Sequence, residues 1–92
     1  MEKYKIMECL EKLTVSEYRI AIKVLPKLIG KSHNTFWNYV HIKADSKMDL
    51  PYTVVVTLEQ FFKLQPGELI NLPVKSPSLD EVLADYRQRQ QD

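Results

Sequence analysis

Residues 28–42 read LIGKSHNTFWNYVHI. Leu28 and Ile29 look like the apolar end of a helix, and Gly30 is a natural stop, because glycine enters the left-handed region without a Cβ penalty. After Lys31, Ser32 has the side chain that caps a new helix by accepting from free backbone N–H groups. Phe36, Tyr39 and Val40 then recur at i, i+3 and i+4, which predicts one buried face. The outward positions hold His33, Asn34, Trp37, Asn38 and His41. Two helices this close to a glycine corner, the second with a polar outer face, predict a helix-turn-helix unit.

The chain around it has 92 residues, enough for one domain with a modest core. Hydrophobic residues make up 45% and charged residues 27%, too apolar for a disordered chain. No apolar run nears the roughly 18 residues that cross a bilayer, so no membrane partner is expected. The opening MEKYKIMECLEK carries charge at helical spacing, unlike a signal peptide. A single cysteine, Cys9, precludes an internal disulfide and fits a reducing compartment. These features predict a small, soluble, cytoplasmic protein.

The net charge is only +1, but it is unevenly spread. Between residues 19 and 47 stand Arg19, Lys23, Lys27, Lys31, Lys43 and Lys47, six bases against the single acid Asp45, a local +5. From residue 76 onward two arginines face four acids, a local −2. A basic patch attracts phosphates through counterion release. A solvated helix face is the plainer alternative.

Apolar residues at 6, 7, 10 and 13 predict an amphipathic helix over residues 3–13. Thr14 and Glu17 form a capping-box pattern that starts a second helix, with Ile20, Val24, Leu25 and Leu28 expected inward. Pro26 lies within that helix, where it removes a hydrogen bond and clashes one turn back, so a break or pronounced kink is expected. Residues 43–49 read as a loop, with Asp49 as a cap and Pro51 at the first position of the next helix. Thr53 to Val56 favour a strand by β-branching. The spacing of Val54, Val55, Leu58, Phe61 and Phe62 favours a helix, and a lone strand has no evident partner. Residues 65–71 read as a turn into a short helix. Residues 72–77 contain two prolines and read as a linker, and Ser78 with Glu81 is a second capping box. The last helix has only Leu79, Val82, Leu83 and Tyr86 on its apolar side, so it must dock on its own domain, pair with another subunit or fray. The chain is therefore expected to be all-α: about five short helices around the central unit in residues 1–71, then a linker and C-terminal amphipathic helix in residues 72–92.

With those elements in place, LPKLIGKSHNTFWNYVHI followed by DLPYTVVVTLEQFFKLQPGELIN resembles the lambda-repressor-like (Cro and xenobiotic-response-element) DNA-binding domains. The matching positions are Leu28-Ile29-Gly30, Ser32, Thr35-Phe36, Tyr39, Leu50-Pro51, Phe61-Phe62 and Glu68-Leu69-Ile70. The resemblance covers roughly residues 14–71. Two positions depart from it. Pro26 stands where a small residue such as alanine is usual, and the glutamine that often opens the first helix has no counterpart near Ile20 to Ile22.

The resemblance implies a sequence-specific transcriptional regulator acting on double-stranded DNA as a homodimer. The helix after Ser32 would enter the major groove, with His33, Asn34, Trp37 and Asn38 reaching bases. Asparagine can bond adenine bidentately. Lys31, Thr35, His41, Lys43 and Lys47 are the expected phosphate contacts, positioning rather than specifying. Trp37 could equally be packing or a partner contact, Asn34 and Asn38 plain solvated residues, and Thr35 a support of the turn. The competing function is a helical protein–protein interaction module without DNA binding, using Trp37 and the apolar side of residues 79–86. No enzyme is expected. His33 and His41 lie eight apart with no ligand-spaced partners, so no metal is read. Cys9 has no base nearby in sequence, and with only two glycines there is no phosphate loop, cofactor or small-molecule substrate to infer.

Overall fold

A computed structural model of the chain describes residues 1–90; the expected C-terminal unit, residues 72–92, runs two residues beyond them. The described residues are all-helical, with five helices: α1 (Ile6–Glu11), α2 (Val15–Leu28), α3 (His33–Val40), α4 (Tyr52–Phe61) and α5 (Leu79–Gln90).

α1 is shorter than its apolar spacing suggests, because residues 1–5 are extended. Lys3 N–H donates to the Ile42 carbonyl (2.8 Å) and Lys5 N–H to that of Leu69 (2.7 Å), while the Lys3 carbonyl accepts from Asn71 (2.9 Å). Isolated antiparallel bridges pair Glu2 with Lys43 and Tyr4 with Ile70. The N-terminal segment thus stitches the chain after α3 to the chain after α4. Tyr4 is buried, and its hydroxyl accepts from the Leu50 N–H at 3.0 Å.

The Thr14–Glu17 capping box forms as its pattern predicts. The Glu17 N–H donates to Thr14 Oγ1 (3.2 Å), and the Thr14 N–H to Glu17 Oε1 (2.8 Å). Two expectations for α2 are corrected. It runs unbroken through Pro26. Proline cannot donate to the carbonyl four residues back, so the helix forgoes that one bond, and only the short stretch beyond Pro26 has to be held by others. Its ring is buried, and Ile29 N–H to the Leu25 carbonyl (3.0 Å) holds the residues beyond it. The buried face is also rotated. Ala21, Leu25, Pro26 and Ile29 face the core, whereas Ile20 (63% exposed) and Leu28 (52% exposed) do not.

α3 buries Phe36 and Val40 as the spacing predicts. α4 is a helix despite its β-branched run, with Val54 and Leu58 in the core beside Leu10, Leu25 and Phe36. Burial of a helical stripe outweighs a propensity difference of a few tenths of a kcal/mol per residue. Pro51, with extended backbone, occupies the cap position itself, so Asp49 is not the cap and Tyr52 is the first helical residue. Asp49 instead pairs with Lys3 at 2.7 Å.

The short helix expected in residues 65–71 is absent. Backbone groups that a helix needs are committed elsewhere: Gly67 and Leu69 N–H donate to Glu59 Oε2 (2.8 and 3.2 Å), and Asn71 N–H goes to Lys3. Leu69 is buried at the end of this turn. Beyond it, residues 72–78 are exposed, and α5 begins at a Ser78 side chain accepting from the Glu81 N–H (3.2 Å). None of its described residues is buried. The chain measures 63 × 23 × 23 Å, elongated because α5 lies off the body.

Candidate nucleic-acid interface

The corner between α2 and α3 is closed by backbone hydrogen bonds and a Ser32–Thr35 cap, above a core that includes Leu25, Ile29 and Phe36. Gly30 has φ +68°, its N–H donates to the Lys27 carbonyl (3.1 Å), and Lys31 N–H donates to that of Pro26 (2.9 Å). This is the paired Schellman arrangement that satisfies the last carbonyls of a helix. Two residues on, Ser32 Oγ accepts from the Thr35 N–H (3.1 Å) and donates to Thr35 Oγ1 (2.9 Å). The hydroxyl of Thr35 is therefore engaged in the cap. α3 starts with no acidic residue in its first turn, so the partial positive charge of its N-terminus is left uncompensated.

His33, Asn34, Asn38 and His41 are exposed, as their outward positions predict. Asn34 and Asn38 lie one turn apart, presenting two carboxamides along one edge. Trp37 is half-buried and differs from its neighbours in chemistry. Its ring packs against buried Phe36 (centroids 5.2 Å) and stacks toward His41 (6.2 Å, 23° between planes). Its indole N–H donates to His33 Nε2 at 2.9 Å. The one hydrogen-bonding atom of Trp37 is thus engaged within α3. His33, Trp37 and His41 form an aromatic row at i, i+4 and i+8.

The cations divide into free and engaged groups. Arg19, Lys23, Lys27 and Lys31 are all exposed, four residues apart, and the stripe ends one residue before the α3 cap. Lys47 is exposed in the loop after α3. Lys43 is ion-paired to Glu2 Oε1 at 2.9 Å, and that hydrogen bond holds the Glu2 carboxyl below the usual carboxylate range. Most of the Lys43 ammonium's charge is locally balanced. The geometry brings Lys31, His33, Asn34, Asn38 and His41 to one corner and its helix, sets Lys47 on the following loop, and ties Lys43 to the N-terminal segment.

Two residues that sequence reasoning passed over organise the surroundings. Lys3 Nζ donates to the Ser46 and Met48 carbonyls (2.9 and 2.7 Å) besides pairing with Asp49, and so pins the loop bearing Lys47. Nothing local marks Lys3 for this, since its partners are over forty residues away. Glu59, 6% exposed, anchors the turn after α4. Its position, four after Val55 and three before Phe62 on the apolar side of the helix, is the signal that could have identified it.

Compared with known protein families, characterised proteins and solved structures, the chain finds no match. The functional reading accordingly stands on the residues of this chain.

Proposed function

We propose that this is a sequence-specific double-stranded-DNA-binding protein, a non-enzymatic cytoplasmic transcriptional regulator that inserts α3 into the major groove. One observation carries the reading: a capped, glycine-cornered helix exposes His33, Asn34 and Asn38, and exposed Arg19, Lys23 and Lys27 on α2 with Lys31 beyond it lead to its N-terminus. In helix-turn-helix proteins the second helix reads base edges, and flanking cations and helix N-termini hold the phosphates. Asn34 and Asn38 are the base readers, each able to bond adenine N6 and N7. His33 adds its second ring nitrogen, Nδ1. Trp37, its nitrogen engaged by His33, acts as an apolar surface against a thymine methyl. Arg19, Lys27, Lys31 and Lys47 meet phosphates, with His41 beside them; Thr35 supports the cap, and Lys43 contributes only after releasing Glu2.

The test is fluorescence anisotropy with random-sequence duplex across a salt series. Affinity should fall steeply as salt rises, in proportion to the phosphates neutralised. Lys31→Ala should weaken all sequences alike and lower the salt slope by about one, while Asn34→Ala should relax preference at one base pair by roughly 1–3 kcal/mol. Absence of binding at low ionic strength would overturn the reading. It would favour the second one, a helical protein-interaction module, which the exposed Leu79, Val82 and Tyr86 of α5 support.

A further inference from the structure

A groove of about 540 Å³ opens between the end of α1, the start of α2 and the end of α4. Its floor is apolar: Leu13, Ile20, Ala21, Phe61, Phe62 and Leu64. Its rim carries Lys12 and Lys63, with Glu17 the one acid among the lining residues. Ile20 is 63% exposed here, a large apolar side chain left in water beside the buried Ala21. None of this surface belongs to the α3 corner.

At the other end of the chain, α5 has the complementary features. Leu79, Val82, Leu83 and Tyr86 line one side at i, i+3, i+4 and i+7, and none is buried. Twelve residues make a helix that is marginal in water without a packing surface. Its charge is uneven: Asp80 and Glu81 stand in the first turn and Arg87 and Arg89 in the last, with Asp85 paired to Arg89 at 3.3 Å. A groove lined by Lys12 and Lys63 with a single glutamate matches a helix whose acidic first turn, Asp80 and Glu81, meets the lysines. The linker before it is exposed throughout and holds Pro73 and Pro77, which favour an extended course away from the body.

We propose that α5 of a second copy of this chain docks in the groove, its apolar stripe on Ile20, Phe61 and Phe62 and its Asp80–Glu81 end beside Lys63, so that two chains exchange C-terminal helices. The exchange is reciprocal and closed, as a two-fold dimer requires. It gives the chain a dimer interface remote from α3, leaving both α3 helices available.

The test is the solution mass of the full chain by light scattering, with far-UV circular dichroism as the check on folding. The full chain should have twice its 10.8 kDa monomer mass. Val82→Asp and, separately, Ile20→Asp should each give folded monomers, both sites being at the surface. Mixing those two monomers should restore dimers through the one intact groove and the one intact helix. Lys63→Glu should weaken dimerisation by about tenfold, and adding Asp80→Lys should restore it. A full chain that stays monomeric at every concentration would mean α5 folds back on its own groove or stays free, and a Val82→Asp chain that stays dimeric would place the interface elsewhere; either overturns the proposal. The mass measurements contain no DNA, so they stand or fall separately from the duplex-binding experiment.

Discussion

Replacing Gly30 with alanine isolates what the α2–α3 corner contributes. Gly30 sits at φ +68°, and a Cβ built there meets nothing within 4 Å. No clash or lost contact enters, so the effect is backbone conformation alone. Holding an L-residue in the left-handed region costs about 1–2 kcal/mol. Alanine restricts the unfolded chain more than glycine does, which offsets about 0.4–1 kcal/mol. The net is a destabilisation of about 1 kcal/mol, and for a domain of this size that lowers Tm by roughly 4–8 °C. Thermal unfolding followed by far-UV circular dichroism measures it. Gly30→Asn should lose less, because asparagine tolerates this conformation better. A Gly30→Ala chain that melts at or above the parent temperature would refute the reasoning, since the corner would then not depend on a left-handed residue.

Lys63 is the converse case, a non-glycine residue at φ 58° closing α4 through Lys63 N–H to Gln60 (3.2 Å) and Leu64 N–H to Glu59 (2.8 Å). Lys63→Gly should stabilise by about 0.5–1 kcal/mol, measured by urea unfolding in the Val82→Asp background so that groove contacts do not contribute. Glu59→Ala strands the buried Leu69 N–H and the part-buried Gly67 N–H and should cost about 1–3 kcal/mol in the same assay, whereas Glu59→Gln, whose carbonyl can still accept, should cost much less. The hydrogen bonds from Thr14 hold the Glu17 carboxyl below its ordinary value. A carboxyl depressed in the folded state stabilises at pH above its unfolded value, and this is lost as pH falls through the folded one. Stability should therefore decline on acidification below the ordinary carboxylate range, and Glu17→Gln should flatten that part of the pH profile.

The amino-acid sequence alone determined the features whose parts lie within four residues of one another. Thr14 with Glu17, Ser32 with Thr35 and Ser78 with Glu81 start helices where their spacing says, and Gly30 ends one. The outward placement of His33, Asn34, Asn38 and His41 follows from the same periodicity. What tertiary structure decided involves partners far apart in the chain. Residues 1–5 are extended because their hydrogen bonds go to Ile42, Leu69 and Asn71. Glu59 and Asn71 are committed to turn and bridge, so the expected helix near residue 70 does not form. α2 keeps its helix through Pro26 and turns Ala21 rather than Ile20 inward because the core formed with α1, α3 and α4 selects that face, and no local pattern distinguishes two adjacent apolar stripes. Trp37 sits on the outward side by spacing, but only the folded helix showed its nitrogen bonded to His33. Short-range geometry is written in neighbouring residues; the choice between nearly equal local options belongs to contacts that exist only once the chain has closed on itself.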